Sequence, residues 1–496
     1  MQSAILPVII QGGMGAGVSD WRLANAVSRQ GQLGVISGTA LDTILVRRLQ
    51  DGDVGGHMRR AMAQFPIPEA AARTLRRYFK EGGRAEGEPY ALLPLFRAEM
   101  SVERQQLLML ATFVEVHLAR EGHDGMVGMN LLTKIQQPNL ATLYGAMLAG
   151  VDAVLMGAGI PREFPAALDA LAEHRAATSA FDVEGMPPGE AAHISFDPAA
   201  HWEELPAALR RPLFLPIIAS NSLATMMARK SSGRVDGFII EGPTAGGHNA
   251  PPRGATQLNE RGEPIYGPRD EVDLAKIADL GLPFWLAGGK GSPEGLRQAL
   301  EAGATGIQVG TLFAYCAESG HDASFKTSIL AAAARDAVDV KTDPRASPTG
   351  FPFKVVDWDE NPADWEHRGR ICDLGYLRSA YRDVDGQIRF RCASEPVDTY
   401  VAKGGKAEDT EGRKCLCNAL MANIGVGQLR EGGSVEPPLI TSGDDLRQIG
   451  GFLDGRSSYS AAEVIAYLLD GVTLDAQADS TVFAETSAIM IESLHS

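Results

Sequence analysis

The chain has 496 residues, of which 45% are hydrophobic and 22% are charged, a composition typical of a globular protein and not of a disordered one. Its 62 acidic and 46 basic residues give a net charge of −16, which argues against nucleic acid or an anionic membrane surface as a partner. A local phosphate site is still compatible with this charge, because backbone amides bind phosphate without any net positive charge.

The start of the chain, its apolar runs and its cysteines indicate the cellular compartment. Met1-Gln2-Ser3 leads directly into a strand-like segment, without the basic and apolar regions of a secretory signal. No uninterrupted apolar run approaches the ~18 residues that a membrane helix needs. Five cysteines in so long a chain do not indicate a disulfide-rich secreted protein. We therefore expect a cytoplasmic protein that does not span a membrane.

Short β-rich runs alternate with helical patterns from residue 7 to about residue 335. Each run is almost continuously apolar, as is typical of strands buried on both faces of a parallel sheet. Eight such units fit a closed (β/α)8 TIM barrel over residues 1–340, and an open doubly wound sheet is the alternative that periodicity does not separate from it. The predicted strands are residues 8–10, 33–36, 127–131, 153–156, 213–219, 237–240, 283–286 and 306–309, and the helices between them include 19–29, 139–149, 222–230 and 293–302.

Outside the predicted barrel units, the chain contains two insertions and, after residue 340, a change of composition. Insertions near residues 64–100 and 175–210 interrupt the barrel pattern, and their proline, alanine and glycine content predicts surface excursions. Residues 341–435 lose the alternation of strands and helices, which predicts an irregular subdomain. Residues 436–496 form a C-terminal segment, in which Ser460-Ala461-Ala462-Glu463 is a capping box that predicts a helix.

Glycine-rich loops follow the first, seventh and eighth predicted strands, at the ends where a barrel of this kind has its active site. The loop after the first strand fails the dinucleotide pattern GxGxxG, because Val18 stands where the third glycine is required. Its glycines still allow the backbone to approach a ligand closely. The three loops are QGGMGAG at residues 11–17, AGGKGS at 287–292 and QVGT at 308–311.

The last two of these loops predict a phosphate site. Gly288 to Gly291 offer consecutive amides, and Gly310-Thr311 adds amides and a hydroxyl at a place where such barrels commonly hold phosphate. A P-loop is excluded, because Lys290 is followed by glycine instead of serine or threonine. Flavin mononucleotide (FMN), with one phosphate and a flat ring, suits this arrangement better than a dinucleotide.

A single histidine, His248, follows a glycine pair in the loop after the sixth predicted strand. A histidine with its ordinary pKa near 6.5 takes up a proton when neutral and stabilises an anion when protonated. A lone histidine is more often a satisfied core or surface residue. The position of His248 at a strand end behind Gly246 and Gly247 favours a catalytic role instead.

Five motifs together resemble the nitronate monooxygenase family, formerly called nitropropane dioxygenases, whose members are FMN-dependent TIM-barrel enzymes. The motifs occur in the family's order over about residues 5–315: PVIIQGGMGAGVS, GMNLL, GFIIEGPTAGGHNAPPRG, WLAGGKG and GIQVGT. The resemblance implies oxidation of nitronates or nitroalkanes with O2, with His248 as the catalytic base beside FMN. It also implies a set of flavin-binding residues: Gly13, Met14, Gly15, Asn130, Glu241, Gly246, Gly247, Gly288, Gly289, Gln308, Val309, Gly310 and Thr311.

One position departs from the family's pattern. Glu241 stands seven residues before the histidine, where the family typically has glutamine. A carboxylate beside the flavin would disfavour the anionic reduced ring by charge repulsion, unless the carboxyl group is protonated or paired. The departure therefore bears on the redox behaviour of the flavin more than on whether the flavin binds.

Two other functions fit some of the same features. An FMN-dependent enoyl-thioester reductase that uses NAD(P)H shares the barrel and the Gly-Gly-His loop, and the insertions could then serve an acyl-carrier-bound substrate. A barrel that has lost catalysis and acts as a scaffold belongs to a different class. Reduction of the yellow protein by NADPH alone would favour the first alternative, and a protein that stays colourless with FMN would favour the second.

Four cysteines lie close together in the predicted irregular subdomain, at positions 372, 392, 415 and 417. This density predicts a structural zinc site made of Cys372, Cys392, Cys415 and Cys417, because small irregular subdomains often need a metal for stability. An iron–sulfur cluster and unliganded thiols are the alternatives, since the spacing contains one Cys-x-Cys and no Cys-x-x-Cys. The aromatic residues of SPTGFPFKV and CDLGYLR, near these cysteines, are expected to cover the barrel mouth.

Overall fold

The computed structural model of the chain describes residues 6–472. The predicted strand-like start at residues 1–5 and the end of the predicted C-terminal segment, residues 473–496, lie outside the described residues. Eight parallel strands form the largest sheet, and each lies within about two residues of its prediction. We label them β1 (Ile9–Gln11), β2 (Gly34–Ser37), β3 (Val127–Leu132), β4 (Ala153–Gly157), β5 (Leu213–Ile218), β6 (Phe238–Glu241), β7 (Phe284–Ala287) and β8 (Gly306–Val309).

The sheet closes into a barrel. Its strand order is β1-β8-β7-β6-β5-β4-β3-β2, so both ends of the order are consecutive strands. Leu33, directly before β2, forms a parallel bridge with Ile10 of β1. The Gln11 amide donates to the Leu33 carbonyl at 3.0 Å, and the Leu33 amide donates to the Ile9 carbonyl at 3.1 Å. The TIM-barrel prediction is confirmed, and the open doubly wound sheet is excluded.

The interior of the barrel is filled with side chains. Val35, Leu155, Ile239 and Trp285 point into one apolar cluster and are at most 2% exposed. The indole nitrogen of Trp285 donates to the Pro7 carbonyl at 2.8 Å, at the amino-terminal side of the sheet. A barrel packed in this way has no room for a ligand at its centre, so a site must lie at the carboxyl ends of the strands.

Helices cover the outside of the barrel and continue after β8. Ser292 caps its helix by accepting a hydrogen bond from the Gly295 amide at 3.0 Å, as the Ser-Pro sequence predicts. Ser460 and Glu463 form both hydrogen bonds of the predicted capping box. The α-helices are Trp21–Ser28, Leu41–Gln50, His57–Met62, Pro68–Tyr78, Val102–Ala119, Asn139–Leu148, Phe164–Ala172, Asn221–Lys230, Leu274–Ala278, Pro293–Glu301, Thr311–Ala314, Ala323–Ala333, Val397–Ala402, Leu416–Asn423, Ile449–Leu453 and Ala461–Leu468. Between residues 6 and 472, none of them combines the length and the apolar character that crossing a membrane would require.

The insertions and the segment after the barrel contain more regular structure than their composition predicts. Phe65, Tyr90 and Phe96 of the first insertion are at most 4% exposed, so this insertion packs into the core. The second insertion and the segment after residue 337 add antiparallel pairs, and one short strand of the insertion joins a strand of the later segment. These strands are Ala177–Phe181 with Ala192–Phe196, Val338–Asp343 with Phe353–Trp358, Ser379–Arg382 with Ile388–Arg391, and Val183–Glu184 beside Ser379–Arg382.

Candidate active site

A large pocket lies at the carboxyl ends of the barrel strands. Its empty space is about 1490 Å³ when the open mouth and the solvent in it are counted. All eight strands contribute to its wall with a residue within one position of the strand's end. These residues are Gly12, Ser37, Leu132, Gly157, Ile217, Glu241, Ala287 and Val309.

All the residues predicted to bind the flavin or to act as the base line this one pocket. The structure therefore brings together four loops that are far apart in the chain. The residues are Gly13, Met14, Gly15, Asn130, Glu241, Gly246, Gly247, His248, Gly288, Gly289, Gln308, Val309, Gly310 and Thr311.

Two of the glycines are required by the space around them. A Cβ atom on Gly13 would lie 2.3 Å from the Cβ of Asn130 and 3.2 Å from a methyl group of Val35. The Asn130 amide donates to the Gly13 carbonyl at 3.2 Å and so holds the loop after β1 against β3. Gly288 has a φ of +87°, and its Cβ would lie 2.9 Å from the hydroxyl of Thr244. The backbone at both places therefore borders the pocket directly.

Among the described residues, three buried side-chain oxygens in the pocket wall have no protein partner: the hydroxyl of Ser442 and two amide oxygens. Asn130 Oδ1 and Gln308 Oε1 are buried and accept no hydrogen bond from any described residue. Leaving a buried acceptor unpaired costs about 1–3 kcal/mol. Both side chains line the pocket, so a ligand with hydrogen-bond donors along one edge would satisfy them.

His248 stands in the pocket wall between a serine and two aromatic rings. Its Nε2 lies 2.7 Å from Ser347 Oγ, which lies 2.8 Å from Thr349 Oγ1. The rings of Phe353 and Phe351 meet the imidazole edge-on, with centroids at 4.8 and 6.3 Å. Burial lowers the pKa of His248 to about 4, so the imidazole is neutral at pH 7 and can accept a proton.

The Gly-Gly-His loop is held in place by residues that follow the barrel in sequence. The Gly247 amide donates to Thr441 Oγ1 at 2.8 Å. The Lys354 amide donates to the Gly247 carbonyl at 2.9 Å, and the Asn249 amide donates to the Pro352 carbonyl at 2.9 Å. The position of the histidine therefore depends on chain segments that share no local pattern with it.

Glu241, the last residue of β6, carries an unpaired carboxyl group into the pocket wall. It makes no hydrogen bond or ion pair with the residues that the structure describes. Burial raises its pKa to about 8, so the carboxyl group is mostly protonated at pH 7. A protonated carboxyl group adds no negative charge to the site, which resolves the concern raised by this departure from the family's glutamine.

Several residues of the pocket wall could not be predicted from the sequence. Phe353 and Tyr376 lie at the mouth, as expected for the two aromatic stretches. The remaining residues follow no strand end and no glycine motif, so they had no signal that placed them near the site. They are Leu377, Leu416, Cys417, Leu420, Met421, Thr441, Ser442, Gly443 and Asp445.

The four cysteines of the predicted zinc site line a second, smaller cavity together. However, no group of three or more histidine, cysteine, aspartate or glutamate side chains within residues 6–472 is placed to hold a metal ion. A zinc site made of Cys372, Cys392, Cys415 and Cys417 stays a prediction, to which the side-chain geometry of the described residues adds no support. All four are free thiols, and burial raises the pKa of Cys417 to about 12, so this thiol stays protonated. Cys417 also lines the large pocket, so the two cavities share a wall.

The fold and the site together define a class: a TIM barrel with a strand-end pocket built from glycine-rich loops, open acceptors and one neutral histidine. A protein-family model described as nitronate monooxygenase matches residues 183–348, which contain β5 to β8 and the loops with Glu241, His248 and Thr311. This match covers about a third of the chain, and over that part the chain resembles the nitronate monooxygenase family.

Two named proteins are similar in sequence to part of this chain. Nitronate monooxygenase of Pseudomonas aeruginosa is 36% identical over 121 residues, which is 24% of this chain and 32% of the relative. Probable nitronate monooxygenase of Bacillus subtilis is 37% identical over 98 residues, which is 20% of this chain and 26% of the relative. The chain thus matches about a third or less of the length of these relatives.

Solved structures resemble the chain over most of its length at low identity. FabK from Thermotoga maritima is 18% identical with a TM-score of 0.45, and the comparison covers 98% of this chain and 96% of that one. Nitroalkane oxidase from Streptomyces ansochromogenes is 14% identical with a TM-score of 0.43, covering 94% and 97%. These TM-scores are too low to support a conclusion about activity.

Proposed function

We propose that this protein is an FMN-dependent oxidoreductase that oxidises nitronates or nitroalkanes with O2, with His248 as the base beside the flavin. One observation carries the proposal: a neutral histidine stands behind Gly246 and Gly247 at the end of β6, in the same pocket as the loops after β7 and β8. The substrate in this proposal is a small molecule, and O2 is the second substrate.

The pocket residues fit FMN. One edge of a flavin ring carries an N–H donor between two carbonyl groups, and this N–H could donate to one of the two open amide oxygens, Asn130 Oδ1 or Gln308 Oε1. Gly13 and Gly288 line the pocket, and the absence of a side chain there lets their loops pack closely against Asn130 and Thr244. Lys290 and the amide of Gly310 would serve the phosphate at the loops after β7 and β8. FMN, when bound, accepts electrons from the substrate and passes them to O2.

His248 would handle the proton of the substrate. A nitroalkane has an acidic C–H next to its nitro group, and the nitronate left after deprotonation carries its negative charge on oxygen. In the tautomer in which Nε2–H donates to Ser347 Oγ, Nδ1 is the nitrogen that would take this proton. Protonated His248 would then lie beside the nitronate anion and stabilise it, and Phe351 and Phe353 would keep water away from the pair.

The raised pKa of Glu241 predicts that flavin reduction becomes slower at alkaline pH. Its carboxyl group is neutral below a pKa of about 8 and gains a negative charge as the pH rises above that value. This charge would oppose the arrival of electrons on the flavin. We expect the anaerobic rate of flavin reduction by nitronate to fall between pH 7 and pH 9.5 in the wild type and to stay level in Glu241→Gln. Stopped-flow absorbance measures both, and an alkaline fall that persists in Glu241→Gln would assign it to another group.

A visible spectrum followed by anaerobic reduction tests the proposed function. We expect the purified protein to be yellow, or to become yellow with FMN, and to bleach on mixing with a nitronate in the absence of O2. Admission of O2 should restore the colour. Bleaching by NADPH but not by nitronate would contradict the proposal and favour an enoyl-thioester reductase. A protein that stays colourless with FMN would favour a non-catalytic scaffold.

A further inference from the structure

The segment Thr441 to Asp445 lies across the phosphate end of the pocket. It follows the barrel by more than 130 residues and contacts the loops after β6 and β8. The Asp444 amide donates to the Thr244 carbonyl at 3.0 Å, and the Gly443 amide donates to Thr311 Oγ1 at 3.1 Å. This segment therefore forms one wall of the region where the phosphate of a flavin would be held.

Asp445 accepts the hydrogen bond of the Thr311 hydroxyl, a donor that a bound phosphate could otherwise use. Thr311 Oγ1 donates its hydrogen bond to Asp445 Oδ1 at 2.5 Å. A threonine hydroxyl has one proton to donate, so Thr311 cannot donate to a phosphate while it donates to Asp445. The other carboxylate oxygen, Oδ2, lies 2.9 Å from where a Cβ on Gly291 would be, so Asp445 also borders the loop after β7.

The charges around Asp445 do not favour a second anion. Asp444 is ion-paired with Lys354, whose Nζ lies 2.6 Å from Asp444 Oδ1, so this lysine is already engaged. Among the described residues that line the pocket, Lys290 is the one lysine or arginine, and the phenol of Tyr315 is the remaining titratable group near Asp445. Burial raises the pKa of Asp445, as expected for a carboxyl group in a site poor in cations.

We propose that Asp445 competes with the cofactor's phosphate for the Thr311 hydroxyl and thereby determines how strongly the pocket prefers FMN over riboflavin. This inference rests on the proposed flavin function. Asp445 lowers the affinity for the phosphorylated cofactor in two ways: it withholds the donor, and as a carboxylate it repels the phosphate. Riboflavin has the same ring and ribityl chain without the phosphate, so its affinity does not depend on Asp445.

The test compares two flavins on the full-length chain after its own flavin has been removed. Quenching of flavin fluorescence gives the Kd of FMN and of riboflavin at pH 8 for the wild type and for Asp445→Asn. We expect Asp445→Asn to increase the preference for FMN over riboflavin by at least about tenfold, because a charge repulsion at short range is removed. Asp445→Ala removes both the charge and the acceptor of the Thr311 hydroxyl, so it should increase the preference for FMN at least as much. Asp454→Asn makes the same change in net charge on an exposed residue and should leave the preference unchanged.

A result that contradicts the role of Asp445 can be told apart from one that also contradicts flavin binding. A preference for FMN that stays the same or falls in both Asp445 variants, with riboflavin still bound, would overturn the role of Asp445 and leave the flavin function intact. A wild-type chain that quenches neither flavin would overturn both. Circular dichroism of each variant establishes that a changed Kd does not reflect unfolding.

Discussion

Replacing His248 with asparagine is expected to lower kcat/KM for a neutral nitroalkane by about 10²- to 10⁴-fold, the usual contribution of a general base. The reason is that, in the proposed function, the neutral imidazole of His248 removes the α-proton of the substrate. Because burial lowers the pKa of His248 to about 4, the base is already free at neutral pH. The wild-type rate with a nitroalkane should therefore hold from pH 7 down to about pH 5 and fall as the pH approaches 4.

A preformed nitronate distinguishes loss of the base from general damage to the site. A nitronate has already lost the proton, so His248→Asn should retain most of its kcat/KM with this substrate. His193 is exposed on the strand Ala192–Phe196, and His193→Asn makes the same chemical change away from the pocket. That variant should match the wild type with both substrates. Equal losses of His248→Asn with nitroalkane and nitronate would contradict a role of His248 in proton transfer.

Replacing Gly13 with alanine is expected to weaken FMN binding by about 100-fold or more. The added Cβ would lie 2.3 Å from the Cβ of Asn130, so either the loop after β1 or the end of β3 must move. Val35 stands 3.2 Å away on the neighbouring strand, which limits where the loop can go. Displacement of a binding loop by about 1 Å is enough for losses of this size. The flavin content after purification and the Kd from fluorescence quenching measure the effect.

The control for this substitution is a glycine with free space around it. Gly267 has no atom within 4 Å of its ideal Cβ and lies outside the pocket, so Gly267→Ala should bind FMN as the wild type does. A Gly13→Ala protein that unfolds at the same temperature as the wild type but loses FMN would locate the damage in the pocket. If Gly13→Ala instead binds FMN as tightly as the wild type, the loop after β1 does not contact the flavin.

The barrel could be predicted from the sequence because its determinants are local. A strand buried on both faces reads as a short apolar run, and β3, β4 and β8 begin at the residues predicted for them. Parallel strands joined by helices place all their carboxyl ends on one side. The glycine loops and His248 follow such strand ends, so their assembly into one pocket follows from the strand assignment alone.

The zinc prediction rests on the spacing of cysteines along the chain, which does not determine the geometry of their thiols. Four cysteines between residues 372 and 417 do meet at one small cavity. Metal binding also requires their sulfur atoms to point at a common centre, and no such group is formed in the described part of the chain. The directions of side chains in a segment without regular periodicity are set by packing, which the spacing of cysteines does not encode.

The sequence by itself determined the eight-stranded barrel, the glycine loops at its strand ends and the histidine among them, because apolar runs, turns and glycines act on their immediate neighbours in the chain. Only the tertiary structure decided what surrounds that histidine. The bond from Gly247 to Thr441 spans 194 residues, and that between Thr311 and Asp445 spans 134. Contacts at such separations depend on how the later segment packs over the barrel mouth. That packing buries His248 and places Asp445 against Thr311.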